Sequence, residues 1–220
     1  MIKGLWWKLA TGLGMACGIV ASFVYVGPTP GFSMSGHGAK MIFFHVPCAW
    51  LATVAYLAAA WYSVRYLRER SLEEDRKCAV SMELGMLFAT GATITGSIFS
   101  YNEWGRYWSW DPRQTSILVI LLIFAAYLVL RDALADPEKR ARLCSVYALT
   151  AMAPGMFLIW VVPRVVSSLH GDANQAVVGG GLSGSYRPVL YGLILPSFIG
   201  LFCWLFEMRL RIKRLEDMEQ

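Results

Sequence analysis

Between two long apolar runs lies Tyr101-Asn102-Glu103-Trp104-Gly105-Arg106-Tyr107-Trp108-Ser109-Trp110-Asp111-Pro112-Arg113. It gathers three of the chain's nine tryptophans, two tyrosines and four charged side chains. If the stretch is helical, Trp104, Trp108 and Asp111 fall at i, i+4 and i+7 and share one face, with Trp110 turned away. That is a flat aromatic shelf ending in a carboxylate, suited to a flat apolar ligand. The plainer reading is an aromatic belt, because Trp and Tyr collect where a bilayer meets water.

Imidazoles add the second kind of chemistry. The chain has three histidines, His37, His45 and His170. His45 opens an apolar run in Phe43-Phe44-His45-Val46-Pro47-Cys48-Ala49-Trp50, and Pro47 is expected in the first turn of a helix there. An imidazole at the edge of a membrane segment is either a ligand or a local hydrogen-bonding group. His37 lies in the Gly-, Pro- and Ser-rich loop Pro28–Lys40 and reads as solvated. His170 follows Pro163-Arg164-Val165-Val166-Ser167-Ser168-Leu169 and reads as a ligand or an exposed loop residue.

Positioning these groups falls to six runs free of Asp, Glu, Lys and Arg: 9–27, 41–64, 84–101, 114–130, 143–163 and 188–206. Each is near the roughly 20 residues a helix needs to cross hydrocarbon. With 56% apolar and 16% charged residues, against about 25% charged in soluble chains, the expectation is an all-α integral membrane protein. It is a single domain over 1–220 with six transmembrane helices. The run 9–27 is expected to be the first helix rather than a leader, since no Ala-x-Ala pattern closes it. Its Gly14-x-x-x-Gly18 spacing permits close helix contact. The segment 65–81 reads as a solvated helical extension, with Glu83 starting the third helix.

Basic residues orient the bundle. Fifteen of the twenty fall at the two termini and in the segments 65–77 and 131–142, which places both termini in the cytoplasm. The Trp-rich segment between helices 3 and 4 is then extracytoplasmic, with the scarce cations Lys40, Arg106, Arg113, Arg164 and Arg187. The net charge of +5 is thereby spent on topology, and no nucleic-acid patch is indicated. Five cysteines without a Cys-x-x-Cys pair argue against thiol–disulfide, zinc or c-type haem chemistry. Gly179-Gly180-Gly181 lacks the Lys-Ser/Thr of a phosphate loop. The six runs carry no midplane charge of the kind expected of a transporter.

Imidazole ligates haem iron, indole faces suit a porphyrin, and guanidinium pairs with propionate. A porphyrin site therefore accounts for the outer residues better than any other small-molecule site. A diheme electron-transfer cytochrome b would need four imidazoles at two depths, one more than the chain has.

Trp104-Gly105-x-x-Trp108-x-Trp110-Asp111 resembles the tryptophan-rich "WWD" signature of the haem-handling proteins of cytochrome c biogenesis. Phe44-His45-Val46-Pro47-x-Ala49-Trp50 resembles the second helix of the haem exporter protein C (CcmC) family. This resemblance implies haem b carried as cargo at the periplasmic face of a bacterial inner membrane. Trp104, Gly105, Trp108, Trp110, Asp111 and Arg113 would support the porphyrin, and His45 and His170 would ligate the iron. It also implies delivery to a membrane-anchored haem chaperone, without turnover chemistry. The expected partners are an ATP-binding-cassette transporter complex and a small single-helix subunit. Asn102-Glu103 and Tyr107 to Gln114 lean toward the longer system II cytochrome c synthases. That alternative would attach haem to an apocytochrome.

Overall fold

The computed structural model describes residues 4–27, 38–169 and 184–218. All regular structure among them is helical. We number six long helices: α1 (Leu5–Val24), α2 (Ile42–Glu69), α3 (Leu72–Trp104), α4 (Pro112–Asp132), α5 (Pro137–Val165) and α6 (Tyr186–Glu216). Each is long and apolar enough to cross a membrane, because in hydrocarbon only a helix satisfies its own backbone.

Polar residues end these helices where the apolar pattern alone could not. Asp111 caps α4 and Asp136 caps α5, each ahead of a proline at the first helical position, where the missing N–H costs nothing. Arg70 and Gly105 close α2 and α3 in the left-handed region, at φ 56° and 72°.

The centre of the bundle is the α2–α3 hairpin, joined only through Arg70 and Ser71. In their most apolar stretches 56% of α2 and of α3 is buried, against 11% of α1, so α1 is the peripheral helix. It docks on α6 through the expected small residues. A Cβ at Gly14 would meet Ser197, and one at Gly18 would meet Ile194. Across the middle, Tyr56 of α2 packs edge-on to Phe124 of α4 at 5.3 Å. Gly85 makes room for Phe124, and Gly155 for Tyr56. Phe43 stacks on Tyr186 at 5.1 Å, tying α2 to α6.

Three sequence expectations change. Segment 65–81 is not a solvated extension: the helices run through it, and Glu74 and Asp75 are only 4% and 3% exposed. Arg131 makes a two-pronged pair with Asp75 at 2.8 and 2.7 Å, while Lys77 and Arg65 reach Glu74. Glu83 lies well inside α3 and meets Arg209 and Lys213 of α6 at 2.6 and 2.7 Å. Pro47 sits in the second turn of α2, not the first, so the Phe43 carbonyl loses its usual donor. Runs chosen for lacking charge stop too early, since paired charges continue a helix as readily as apolar residues do.

Breaking a buried pair strands the remaining charge. Asp75→Ala should therefore lower unfolding free energy by about 3 kcal/mol, read from denaturant titration in detergent. Asp75→Leu combined with Arg131→Met should recover most of that loss. Equal losses in the single and double variants would contradict this account.

Candidate functional site

At the end of the bundle opposite the Arg70 turn, α2, α3, α4, α5 and the loop after α3 surround a cavity of about 250 Å³. His45, Trp50 and Tyr56 enter it from α2, Gly96 from α3, and Trp108 from the loop. Arg113, Gln114 and Phe124 enter from α4, and Trp160 and Arg164 from α5. The walls are mainly aromatic and aliphatic, with one imidazole and two guanidiniums among them.

The His45 ring is fixed by α3. Its Nδ1 lies 2.9 Å from the Ala92 carbonyl oxygen. A carbonyl can only accept, so Nδ1 carries the proton and Nε2 keeps its lone pair. The ring rests where Gly96 has no side chain, and a Cβ there would approach it to 2.9 Å. Hydrogen bonding one ring nitrogen to a backbone carbonyl is the arrangement that sets a ligating imidazole's tautomer and orientation.

The Trp-rich stretch is not one helical face. Gly105 ends α3 and Pro112 starts α4, so Trp104, Trp108 and Asp111 are not stacked at helical spacing. Trp104 packs edge-on to Phe99 at 5.6 Å, outside the cavity lining. Trp108 lines the cavity, and Trp110 meets it edge-on at 5.8 Å. Trp110 is 69% exposed and holds φ at 57°, a left-handed conformation costly for a bulky residue. Tyr101 and Tyr107 stack at 4.4 Å beside the loop.

Gln114 holds this loop down. Its Oε1 accepts from the Ser109 N–H at 2.8 Å and from the Ser109 hydroxyl at 3.1 Å. Its Nε2 donates to Ser100 Oγ, which in turn donates to the Arg106 carbonyl. Asp111 is 5% exposed and turned elsewhere: it caps α4 through the Arg113 N–H and accepts from the segment after α5.

The wall from α5 is shaped by a widened turn. Phe157–Val161 is π-helical, closed by the Val162 N–H on the Phe157 carbonyl, and Pro163 follows. Such bulges occur disproportionately at functional sites. They place Trp160 beside Arg164, whose guanidinium carbon lies 5.1 Å from the indole ring and donates through Nη1 to the Trp160 carbonyl.

The structure thus brings together His45, Trp108, Arg113 and Arg164. Gly105 serves as a helix stop, Arg106 and Arg187 are exposed and line no part of the cavity, and Lys40 donates to the Phe23 carbonyl at 3.0 Å. His37 and His170 lie outside the described residues. Trp50, Trp160, Gly96 and Gln114 were not anticipated. A glutamine opening an apolar run was the available hint for Gln114, since buried amides require partners.

The family model described as heme exporter protein C matches residues 2–219. "Heme exporter protein C" of Paracoccus denitrificans (strain Pd 1222) is 30% identical over 199 residues, covering 90% of this chain and 82% of that protein. The protein of the same name from Bradyrhizobium diazoefficiens is 31% identical over 175 residues, 80% of this chain and 65% of the relative. "Cytochrome c biogenesis protein CcsA" of Pelargonium hortorum is 32% identical over 101 residues, 46% of this chain and 30% of the relative.

If Gln114 clamps the loop, Gln114→Leu should raise hydrogen exchange at the Ser109 amide by on the order of tenfold, the loss of a bond worth about 1 kcal/mol or more. Exchange at α2 amides should not change. A Ser109 amide that stays as protected as before would show that the loop is held by other contacts.

Proposed function

The chain belongs to the heme exporter protein C family, and from that premise we propose that it holds haem at its outer face and passes it to a membrane-anchored chaperone. Membership gives the chain a role in cytochrome c maturation, as a multi-pass membrane protein that handles haem. In our reading the cargo is haem b, held at the periplasmic side of the bacterial inner membrane with both termini in the cytoplasm. An ATP-binding-cassette complex and a small single-helix subunit are its partners, and the porphyrin is not covalently attached to the protein. The charge distribution supports this orientation: ion pairs crowd the end with the Arg70 turn, and the cavity lies at the other.

The observation that carries the reading is the hydrogen bond between His45 Nδ1 and the Ala92 carbonyl oxygen. An imidazole whose Nδ1 is committed to Ala92 has Nε2 left as its ligating nitrogen. The residues around it fit the same cargo. Trp50, Trp108 and Trp160 supply flat apolar faces, and Arg113 and Arg164 supply cations for two carboxylates. His170 is the proposed second ligand, on the strength of its place in the sequence after α5. The similarity to CcsA supports a second reading, attachment of haem to an apocytochrome, over the 101 residues matched.

Absorption spectra of the purified chain co-expressed with the chaperone test this. His45→Ala should reduce bound haem by roughly tenfold or more, at least the loss expected for disturbing a ligand's support, and stall chaperone loading. His170→Ala should shift the spectrum as one axial ligand is lost. Trp108→Ala should weaken retention while leaving the ligand spectrum intact. Wild-type spectra and transfer in both histidine variants would refute the ligand assignment. Haem found bonded to an apocytochrome would favour the synthase reading.

A further inference from the structure

A second hollow lies on the surface of the bundle, away from His45. This groove of about 280 Å³ runs between α3 and α6, lined by Leu84, Leu87, Leu205, Met208 and Ile212, with Glu83 and Arg209 beside them. Leu87, Met208 and Ile212 are exposed along it, and Leu84 is buried. Neither 84–101 in α3 nor 188–206 in α6 carries a charged residue. A run of that length matches the hydrocarbon thickness. Glu83 and Arg209 therefore stand where hydrocarbon gives way to headgroups, on the side of the Arg70 turn.

The rim of the groove carries both signs of charge. Arg209 Nε donates to Glu83 at 2.6 Å, and Lys213 Nζ meets the same carboxylate at 2.7 Å. Arg209 Nη1 lies 3.7 Å from Glu216, whose side chain is half exposed. Two cations and two carboxylates leave no net charge, so a purely anionic headgroup is repelled as much as it is drawn. A headgroup with a phosphate and a primary ammonium is complemented at both ends. Guanidinium N–H groups that Glu83 does not occupy suit phosphate oxygens, and the Glu216 carboxylate accepts from an ammonium N–H. A quaternary ammonium has no N–H to donate.

We propose that the groove between α3 and α6 binds one phospholipid of the phosphatidylethanolamine class. An acyl chain lies along Leu84, Leu87 and Leu205, the phosphate meets Arg209 and Lys213, and the ammonium meets Glu216. Apolar lining at hydrocarbon depth and a charge-balanced rim at headgroup depth fit that amphipath together. A lipid held there bridges two helices and stabilises the folded bundle by mass action. The inference is independent of the haem reading above.

The test titrates the delipidated full chain in detergent with phosphatidylethanolamine, phosphatidylcholine and phosphatidylglycerol of matched acyl chains, counting bound lipid by native mass spectrometry. Wild type should hold one phosphatidylethanolamine on the order of tenfold more tightly than either of the others, the discrimination expected of a hydrogen bond to a charged group. Glu216→Gln should erase the preference over phosphatidylcholine and leave phosphatidylcholine binding unchanged. Leu87→Trp fills the groove from an exposed position, so it should weaken binding of phosphatidylethanolamine while the lipid-free thermal midpoint stays close to wild type. Leu122→Trp, at an exposed position of α4 outside the groove, should bind as wild type does.

Equal retention of the three lipids would make the groove ordinary contact with the bilayer. Preference for phosphatidylglycerol would make the rim an anion site. A dimer carrying no lipid would make the groove an interface between copies of the chain. Each of these results overturns the proposal, as does a Leu87→Trp variant that binds phosphatidylethanolamine as tightly as wild type.

Discussion

The hydrogen bond from the His45 ring to the Ala92 carbonyl is possible because α3 presents no side chain at Gly96. The imidazole can lie flat in the α2–α3 seam only while those helices stay in close contact, and glycines maintain that contact along its length. Gly91 makes the same allowance for Cys48 one turn deeper. From this seam the rest of the cavity follows. Phe124 fits against Gly85 and Tyr56 against Gly155, which sets α4 and α5 at the distance that leaves the cavity open between them. A bulkier residue anywhere in the seam would have to move either the ring or a wall.

The two ends of the bundle solve opposite problems. At the Arg70 turn, carboxylates and guanidiniums are brought together and neutralise one another, as in Asp75–Arg131 and Glu83–Arg209. Burial there is tolerable because each charge has its partner. At the cavity end Arg113 and Arg164 line a cavity whose walls are largely aromatic and aliphatic. Asp111, a carboxylate nearby, accepts from the Ser168 hydroxyl and the Leu169 N–H. Two guanidiniums thus line the cavity at one end, and ion pairs between helices tie the bundle together at the other.

How far this was legible in the sequence depends on the distance over which each feature is specified. Six helices could be read because hydrocarbon length is a local property of each run. His45 could be singled out as an imidazole opening an apolar run, and Trp108 and Arg113 as members of one dense aromatic and charged stretch. The helix ends were misjudged where Glu74, Asp75 and Glu83 are neutralised by residues on other helices, which no single run reveals. The helical shelf failed at Gly105 and Pro112, whose backbone preferences outweigh spacing. The hydrogen bonds that Asp111 accepts join it to groups 57 and 58 residues away, and nothing near Asp111 in the sequence announces them.

The widened turns in α5 and α6 share a construction. Phe157–Val161 closes through Val162 just ahead of Pro163, and Leu190–Ile194 closes through Leu195 just ahead of Pro196. Each inserts one residue beyond the α-helical count, which advances the helical phase by about 100°. Before and after such a turn, the same heptad position looks in a different direction. Along α5 the stripe that packs on α2 therefore does not continue to the outer end; Trp160, Pro163 and Arg164 arrive at the cavity by that rotation. Neither helix is described by a single face, and a one-residue deletion in either turn would re-aim everything beyond it without disturbing anything before it.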